Sequence, residues 1–358
     1  MPKLHDMGGH RAGGRPFAGL NSGLRPIDDI AHCADSDTHT FFLMIVSIGL
    51  LILGGITLVL SGDLLVRGAV SLSQRMGLSP TVIGLTVVAF GTSAPELVVS
   101  IQAALSGIAD IAVGSVVGSN IANILLILGV PALIIAVPTD DDEARNSYWF
   151  MAAVTLVFAA ILASGEINRW FGGLFLLALA GYLFISYRSA RLAPELAASE
   201  QDGPGQYGSM ATGLMLLGGV VGLPLGAHWF VQGAKEIATA IGISEAAIGV
   251  TVVAIGTSLP ELAASTVAAV RGRVNIALAN VIGSNLMNIL GIIGITAVIV
   301  PLSVSEEIQS FDAIAMIAAT AVLGLLLLRR WSIGLALGIA FLGVYAGFLA
   351  VRFGGVQF

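Results

Sequence analysis

The sequence predicts an all-α polytopic membrane protein of about ten transmembrane helices, arranged as two inverted five-helix repeats with broken helices at the midplane. The composition is the first observation: 56% of the residues are hydrophobic and 11% are charged, whereas a soluble domain carries about 25% charged residues. Apolar runs long enough to cross a bilayer also recur from Phe41 onward. The third observation is an internal repeat.

The repeat joins two stretches of the chain at a constant offset of 165 residues. Residues 84–129 match residues 249–294 at 26 of 46 positions without a gap, which indicates an internal duplication. Each half contains an odd number of spans, so the second copy must enter the membrane from the opposite face. Inverted repeats of this kind place a binding site near the midplane, between the halves.

The apolar runs define the spans in order. The first covers residues 41–60 and is expected to continue to Met76. Ser79 and Pro80 then provide an N-cap and a first helical position, and the second span reaches Leu105. The remaining spans are predicted at 111–137, 148–163, 170–187, 210–241, 243–270, 275–301, 311–328 and 331–351.

The polar stretches divide the chain into regions. Residues 1–40 are polar and glycine-rich and lack the apolar run of a signal peptide, so we expect a disordered tail. Residues 41–187 form the first five-helix repeat, 188–209 a connector, and 210–358 the second repeat. The connector carries several acidic residues, two prolines and several glycines, as linkers do.

Lysine and arginine placement predicts the orientation, because these residues accumulate in cytoplasmic loops. With the N-terminus outside, nine arginines lie in the cytoplasmic breaks, and the external breaks hold Arg169, Lys235 and Arg352. We therefore expect a multi-pass membrane protein with both termini outside and the connector in the cytoplasm. The acidic run 140–143 would then face the cytoplasm, as a solvated loop or a regulatory cation site.

The repeated motif Gly-Thr-Ser-x-Pro-Glu, at residues 91–96 and 256–261, carries the chemistry. Glu96 and Glu261 lie within apolar runs, where a carboxylate costs at least ~2.5–3.5 kcal/mol and indicates a function. Each proline lacks an N–H group, so carbonyl groups in the preceding turn lose their hydrogen-bond partners within the helix. The motif therefore predicts a group of hard oxygen ligands suited to Na⁺, Ca²⁺ or Mg²⁺, to which the hydroxyls of Thr92, Ser93, Thr257 and Ser258 belong.

A second polar turn follows in each half. Ser119 and Asn123 lie four residues apart, hence on one helix face, and Ser284 and Asn288 repeat this spacing. Small polar residues in membrane helices also serve packing alone, and for Asn120 and its counterpart both interpretations stay open. The two glutamates are different, since two symmetric carboxylates repel each other unless cations or protons neutralise them.

These motifs resemble the α-repeats of the sodium/calcium exchanger family, in its compact prokaryotic form. The resemblance implies a location in the plasma membrane of a prokaryote, its inner membrane. The resemblance implies that Glu96 and Glu261 are shared Ca²⁺ and Na⁺ ligands. It further implies that the central ion sites are completed by Thr92, Ser93, Thr257, Ser258, Ser119, Asn123, Ser284 and Asn288. Asparagine at position 288, where the potassium-dependent branch has aspartate, argues against a K⁺ requirement and leaves two formal charges.

The leading hypothesis is a Na⁺/Ca²⁺ antiporter, and a Ca²⁺/H⁺ or other cation/H⁺ antiporter is the alternative. A passive channel would conduct Ca²⁺ without a counter-ion on the opposite face of the membrane. A structural membrane protein would tolerate the replacement of Glu96 and Glu261 by glutamine. We expect no enzyme, because His228 is the only histidine in an apolar span and has no catalytic partner. Ca²⁺, Na⁺ and the lipid bilayer are the expected partners, with no cofactor, nucleic acid or obligate protein partner.

Overall fold

The computed structural model describes residues 27–192, 207–241 and 254–353, and the side chains of residues 44–189, 207–241 and 256–352. The chain divides into a unit of Met1–Leu43 and a unit of Met44–Phe358. In the first unit the described residues, from Ile27, are helical. The second unit contains all of the remaining elements.

The first half contains six helices and one short strand. Their bounds are α1 Ile27–Met76, α2 Pro80–Thr92, α3 Ala94–Leu105, α4 Ala109–Ala132, α5 Asp142–Leu162, β1 Glu166–Ile167 and α6 Arg169–Leu192. Ser79 begins α2 as its N-cap and accepts a hydrogen bond from Val82 N, as the sequence predicts. Proline follows at the first helical position, where its missing N–H costs nothing.

The second half repeats this order. Its elements are α7 Ser209–Ala240, α8 Ala254–Thr257, α9 Leu259–Val270, α10 Val274–Ile299, β2 Leu302–Ser303, α11 Ile308–Arg329 and α12 Leu335–Phe353. The two strands pair antiparallel, with Ile167 opposite Leu302, and so join the halves. Within the described residues, single π-helical stretches interrupt α2, α4 and α10, and another begins α11.

Eight described helices are long and apolar enough to cross a membrane, and the pair α2 and α3, bent by 44°, makes nine. The prediction of an all-helical, multi-pass protein is therefore confirmed. The one predicted span that is not among these nine, 243–270, lies partly outside the described residues. Its described part is the apolar helix α9 with the short helix α8 before it.

Two boundaries differ from the sequence prediction. We predicted disorder for residues 1–40, of which 1–26 lie outside the described residues, but α1 already begins at Ile27. This start is understandable because residues 27–48 contain no glycine or proline and acidic residues favour a helix N-terminus. Helix α5 begins six residues before the predicted Tyr148, because Asp141 caps it by accepting bonds from the amides of Glu143 and Ala144 at 2.9 and 3.0 Å.

Helices α4 and α10 form the centre of the second unit. In the 18-residue apolar segment of each helix, 72% of the residues of α4 and 83% of those of α10 are buried. The corresponding share is 22% in both α1 (from Met44) and α7. The two central helices carry the second polar turn of each half. The fold therefore places these turns in the most enclosed part of the molecule.

Helices α1 and α7 pack against each other backbone to backbone. A Cβ atom on Gly54 would lie 2.4 Å from Phe230 N, and one on Gly233 would lie 2.4 Å from Ser47 O. Only glycine permits so close an approach, which replaces the missing hydrophobic drive between helices in lipid. The first helices of the two halves thus form one tightly packed pair.

Repeat-related hydrogen bonds secure this pair near both ends. Ser47 Oγ donates to Glu236 Oε2 at 2.5 Å, and the hydroxyls of Ser71 and Thr212 are 2.6 Å apart. The offset of 165 residues converts Ser47 into Thr212 and Ser71 into Glu236. The pairing of α1 with α7 therefore follows the same pseudo-symmetry as the repeat.

Candidate ion-binding site

In both copies of the repeated motif, a helix is broken three residues before the glutamate. Ser93 separates α2 from α3, and Ser258 separates α8 from α9. The proline lies in the first turn of the helix that follows each break, and Glu96 and Glu261 come next in that same turn. The positive end of the helix dipole therefore lies at each carboxylate.

The two glutamates are almost completely buried, with 2% of Glu96 and 1% of Glu261 exposed. In each carboxylate, Oε2 has no hydrogen-bond partner among the described residues. A buried carboxylate without compensation is strongly disfavoured. The arrangement therefore leaves two acceptor oxygens that a proton or a bound cation could satisfy.

Contacts between the halves hold Glu261 against the first broken helix. Ser93 Oγ of the first half donates to Glu261 Oε1 of the second half at 3.1 Å. Glu96 lies three residues after Ser93, in the first turn of α3. The structure therefore brings the glutamates together at the boundary between the two repeats.

The second polar turns also meet across this boundary. Asn123 Nδ2 donates to Asn285 Oδ1 at 2.9 Å, and Asn288 Nδ2 donates to Asn120 Oδ1 at 3.0 Å. The offset of 165 residues interconverts these two bonds. Asn120 and Asn285, for which the sequence left both interpretations open, therefore accept hydrogen bonds between the halves.

The same bonds leave oxygen atoms available. Oδ1 of Asn123 and of Asn288 has no hydrogen-bond partner among the described residues, and neither has Oγ of Ser258 or of Ser284. Helices α3 and α9 each contact both α4 and α10, so the segments carrying these groups adjoin one another. With the two glutamates, six unpartnered buried oxygens occur on adjoining segments.

The other predicted site residues have different surroundings. Thr92 is fully buried and Ser119 is 5% exposed, while Thr257 is half-buried. The single hydroxyl hydrogen of Thr92 has two alternative acceptors, Ala89 O at 3.3 Å and Asn280 Oδ1 at 3.5 Å. The freed carbonyl groups that we expected before each proline stay a prediction.

Asn280 is a polar residue of this region that the sequence analysis did not identify. It is fully buried; its Nδ2 donates to Ser265 Oγ at 3.0 Å, and its Oδ1 accepts from Thr92 Oγ1 at 3.5 Å. The first half has Ser115 at the corresponding position, which bonds to Ser100 at 3.2 Å. This mismatch within a closely matching repeat is the signal that could have identified Asn280.

The chemistry of these donors is that of a hard-cation site. The described residues contain no group of three or more His, Cys, Asp or Glu side chains that could hold a metal. Two carboxylates and neutral hydroxyl and amide oxygens remain. Such oxygen ligands suit Na⁺ and Ca²⁺ and do not suit soft metals.

A buried pair of carboxylates between two inverted helical repeats of a multi-pass membrane protein is the architecture of a secondary transporter. The family model described as "Sodium/calcium exchanger protein" matches residues 46–188 and 212–354. The chain belongs to this family. The expectation drawn from the repeated motif is thereby confirmed.

Individual relatives span most of the chain. It is 36% identical to the "Putative antiporter CaxA" of Alkalimonas amylolytica over 80% of this chain and 91% of that protein. It is 33% identical to the "Sodium/calcium exchanger MaX1" of Methanosarcina acetivorans, over 85% and 97%. A solved structure of the sodium-calcium exchanger NCX_Mj aligns with a TM-score of 0.74 at 31% identity, covering 86% of this chain and 98% of that one.

Proposed function

We propose that the protein is a secondary active antiporter that exchanges Na⁺ for Ca²⁺ across the membrane by alternating access. The observation that carries the proposal is the pair Glu96 and Glu261, buried at the boundary between the repeats with an unpartnered oxygen on each. The Na⁺/Ca²⁺ exchangers among the similar proteins support the same conclusion.

Charge balance explains how such a site couples two ions. Two carboxylates neutralise one Ca²⁺ or two Na⁺, so the two loads compete for one set of oxygens. An empty site would carry two bare negative charges through a low-dielectric region, which is costly. The site therefore crosses when loaded with either ion, and a further Na⁺ on neutral oxygens would make the exchange electrogenic.

The ligands of the proposed sites are those expected from the resemblance. Glu96 and Glu261 bind both ions, and the oxygens of Thr92, Ser93, Thr257, Ser258, Ser119, Asn123, Ser284 and Asn288 complete the coordination. The open oxygens of Ser258, Ser284, Asn123 and Asn288 support this assignment. The ions are substrates, and the proposal includes no cofactor.

Alternating access requires one part of the molecule to move over another. Helices α1 and α7 are hydrogen-bonded to each other near both ends, and their apolar windows are far less buried than those of α4 and α10. We infer that α1 and α7 move together over the central helices. Both termini would lie outside and the connector in the cytoplasm of a prokaryotic cell.

Proteoliposomes test the coupling ion directly. We expect ⁴⁵Ca²⁺ uptake into vesicles loaded with Na⁺ and diluted into Na⁺-free buffer, and no uptake into vesicles loaded with choline. Dissipating the pH gradient with an ionophore should leave the uptake unchanged. Uptake that needs only a pH gradient would reject Na⁺ coupling.

The alternative function is a Ca²⁺/H⁺ antiporter on the same scaffold. The burial of both Glu96 and Glu261 with an unpartnered oxygen on each favours it, because a proton on a buried carboxylate compensates its charge as a cation does. Under this alternative, Ca²⁺ uptake would follow the pH gradient and would persist without Na⁺ on either side.

A further inference from the structure

Both ends of the Asn120 side-chain amide have hydrogen-bond partners. Its Oδ1 accepts from Asn288 Nδ2 at 3.0 Å, while its Nδ2 donates to Asn285 O at 3.5 Å and to Met316 Sδ at 3.9 Å. A thioether sulfur is a weak acceptor and has no hydrogen to donate. Met316 therefore favours the orientation in which the NH₂ group of Asn120 faces it.

Met316 lies on α11, outside both copies of the repeat, and is 1% exposed. Helix α11 contacts α4, which carries Asn120. One turn beyond Met316, the carbonyl oxygen of Thr320 accepts a hydrogen bond from Tyr148 Oη of α5 at 2.9 Å. The next turn packs against the same tyrosine, since a Cβ atom on Gly324 would overlap Tyr148 Oη. These contacts with α5 hold the sulfur in place beside Asn120.

The orientation of Asn120 decides which end of the Asn288 amide is left for the candidate site. Because Asn120 presents its oxygen, Asn288 donates to it and keeps its own Oδ1 without a hydrogen-bond partner among the described residues. A half-turn of the Asn120 amide would exchange its oxygen and its nitrogen. Asn288 would then have to turn its oxygen toward Asn120, and the NH₂ group that remained is a donor, which cannot bind a cation.

We propose that Met316 is a positioning residue of the ion site, whose sulfur holds Asn120 in the orientation that keeps Asn288 Oδ1 free to bind a cation. The inference rests on the proposed function, in which Asn288 is a ligand of the transported ions. Removing the sulfur leaves a buried amide hydrogen of Asn120 without its acceptor, which is unfavourable. The affinity for Ca²⁺ then falls, while the loaded transporter works at its usual rate.

The repeat provides a matched control for this residue. The offset of 165 residues converts Met316 into Met151 of α5 and Asn120 into Asn285. Met151 is also buried, but within the part of the chain that the structure describes no hydrogen bond joins it to Asn285. Leucine has nearly the volume of methionine, and cores tolerate such exchanges best. Met316→Leu and Met151→Leu are therefore similar core substitutions that differ in the lost hydrogen bond.

Equilibrium binding of ⁴⁵Ca²⁺ to the purified full-length protein, in detergent and without Na⁺, tests the role of the sulfur. We expect Met316→Leu to bind Ca²⁺ about fivefold more weakly than wild type, and Met151→Leu to bind within about twofold of wild type. Met316→Gln restores an acceptor on a side chain of similar length and should also bind within about twofold. Wild-type affinity in Met316→Leu, or an equal loss in Met151→Leu or Met316→Gln, would overturn the proposal.

A double-mutant cycle tests whether Met316 acts through Asn120. Asn120→Ala removes the amide that the sulfur orients, so adding Met316→Leu to it should change the Ca²⁺ affinity by less than about twofold. The same loss on both backgrounds would show that the sulfur acts by another route, and would also overturn the proposal. In proteoliposomes, Met316→Leu should need more Ca²⁺ for half-maximal uptake and should reach the wild-type maximal rate.

The binding measurement also separates this inference from the proposed function. It uses no ion gradient, so its outcome is independent of whether Na⁺ or H⁺ drives transport. A wild-type protein that binds no Ca²⁺ would reject the proposed function together with the role of Met316. A wild-type protein that binds Ca²⁺ no more tightly than Met316→Leu would reject the role of Met316 alone.

Discussion

Asn123 in the first half donates its side-chain amide to Asn285 Oδ1 in the second half at 2.9 Å. Asn288 makes the repeat-related bond to Asn120 Oδ1 at 3.0 Å. Each donor uses one of its two amide hydrogens in this contact, and its own oxygen has no hydrogen-bond partner within the described part of the chain. The pair of bonds thus joins the halves and leaves one amide oxygen on each side for a cation.

Replacing Asn288 by aspartate tests this arrangement. An ionised aspartate cannot donate to Asn120 Oδ1 and adds a third negative charge, whereas a protonated one can donate. We expect Asn288→Asp to transport Ca²⁺ at acidic pH and to lose activity as the pH rises, while wild type keeps its activity over the same range. The measurement is initial ⁴⁵Ca²⁺ uptake against pH. A variant with the wild-type pH profile would contradict this role of the amide.

Removing either central charge should abolish exchange. Glu96→Gln and Glu261→Gln each leave one carboxylate, which cannot neutralise Ca²⁺. We expect Ca²⁺ uptake to fall at least 100-fold in both variants, equivalent to about 2.7 kcal/mol or more. Glu306→Gln, at an exposed position outside the candidate site, is the matched control and should transport normally. Uptake by either central variant at the control rate would rule out the proposed ion site.

Much of the fold and of the candidate site could be predicted because the chain contains its central segment twice. The repeat predicted a broken helix at each Gly-Thr-Ser-x-Pro-Glu motif, and the structure has both breaks, at Ser93 and Ser258. Hydrophobicity predicted the spans, since crossing a bilayer requires about 20 apolar residues whatever their tertiary contacts. The roles of the individual site residues stay predictions.

The contacts across the two halves could not be predicted in the same way. Which asparagine pairs with which depends on how α4 meets α10, and the spacing within one helix carries no information on that packing. The bridge from Asn280 to Thr92 likewise joins residues 188 positions apart. The early start of α5 depends on Asp141 as its N-cap. A search for apolar segments does not detect such a polar cap.

Asn280 should position Thr92 within the candidate site. Asn280→Ser gives the second half the residue that the first half has at Ser115, and it removes the bond to Thr92. Losing one buried hydrogen bond costs about 1 kcal/mol, so we expect a roughly fivefold weaker apparent affinity for Ca²⁺ with a nearly unchanged maximal rate. Concentration curves of Ca²⁺ uptake measure both quantities.

The conservative variant distinguishes positioning from folding. Asn280→Gln keeps an amide and should recover part of the affinity, and all variants should show the wild-type elution volume in size-exclusion chromatography. A lower maximal rate with unchanged affinity would contradict positioning of Thr92.

The contact between α1 and α7 predicts that two glycines of α7 differ in how well they tolerate replacement by alanine. A Cβ atom on Gly233 would lie 2.4 Å from Ser47 O, whereas one on Gly213 would meet nothing within 4 Å. We therefore expect Gly233→Ala to destabilise the protein by about 1–3 kcal/mol, as overpacking does, and Gly213→Ala to leave the stability unchanged. Thermal unfolding in detergent measures the difference, and equal unfolding temperatures would refute the backbone contact.

An ion pair ties α1 to the loop after α9 at one end of the molecule. Asp63 of α1 contacts Arg271 at 2.6 Å and Arg67 at 2.8 Å. The repeat-related positions of Asp63 and Arg271 hold His228 and Ser106, which cannot form a carboxylate–guanidinium pair. The link between α1 and the α9 loop is therefore not repeated at the other end.

If α1 moves over the central helices, this contact stabilises one state of the transporter. The pair is partly exposed, with 52% of the Arg271 side chain accessible, so it contributes up to about 1 kcal/mol and is screened by salt. We expect wild-type Ca²⁺ uptake to change up to about fivefold between low and high choline chloride. Arg271→Gln should lose most of this salt response, and the nearby Arg273→Gln should keep it. Identical salt responses in all three proteins would exclude a role for the ion pair in transport.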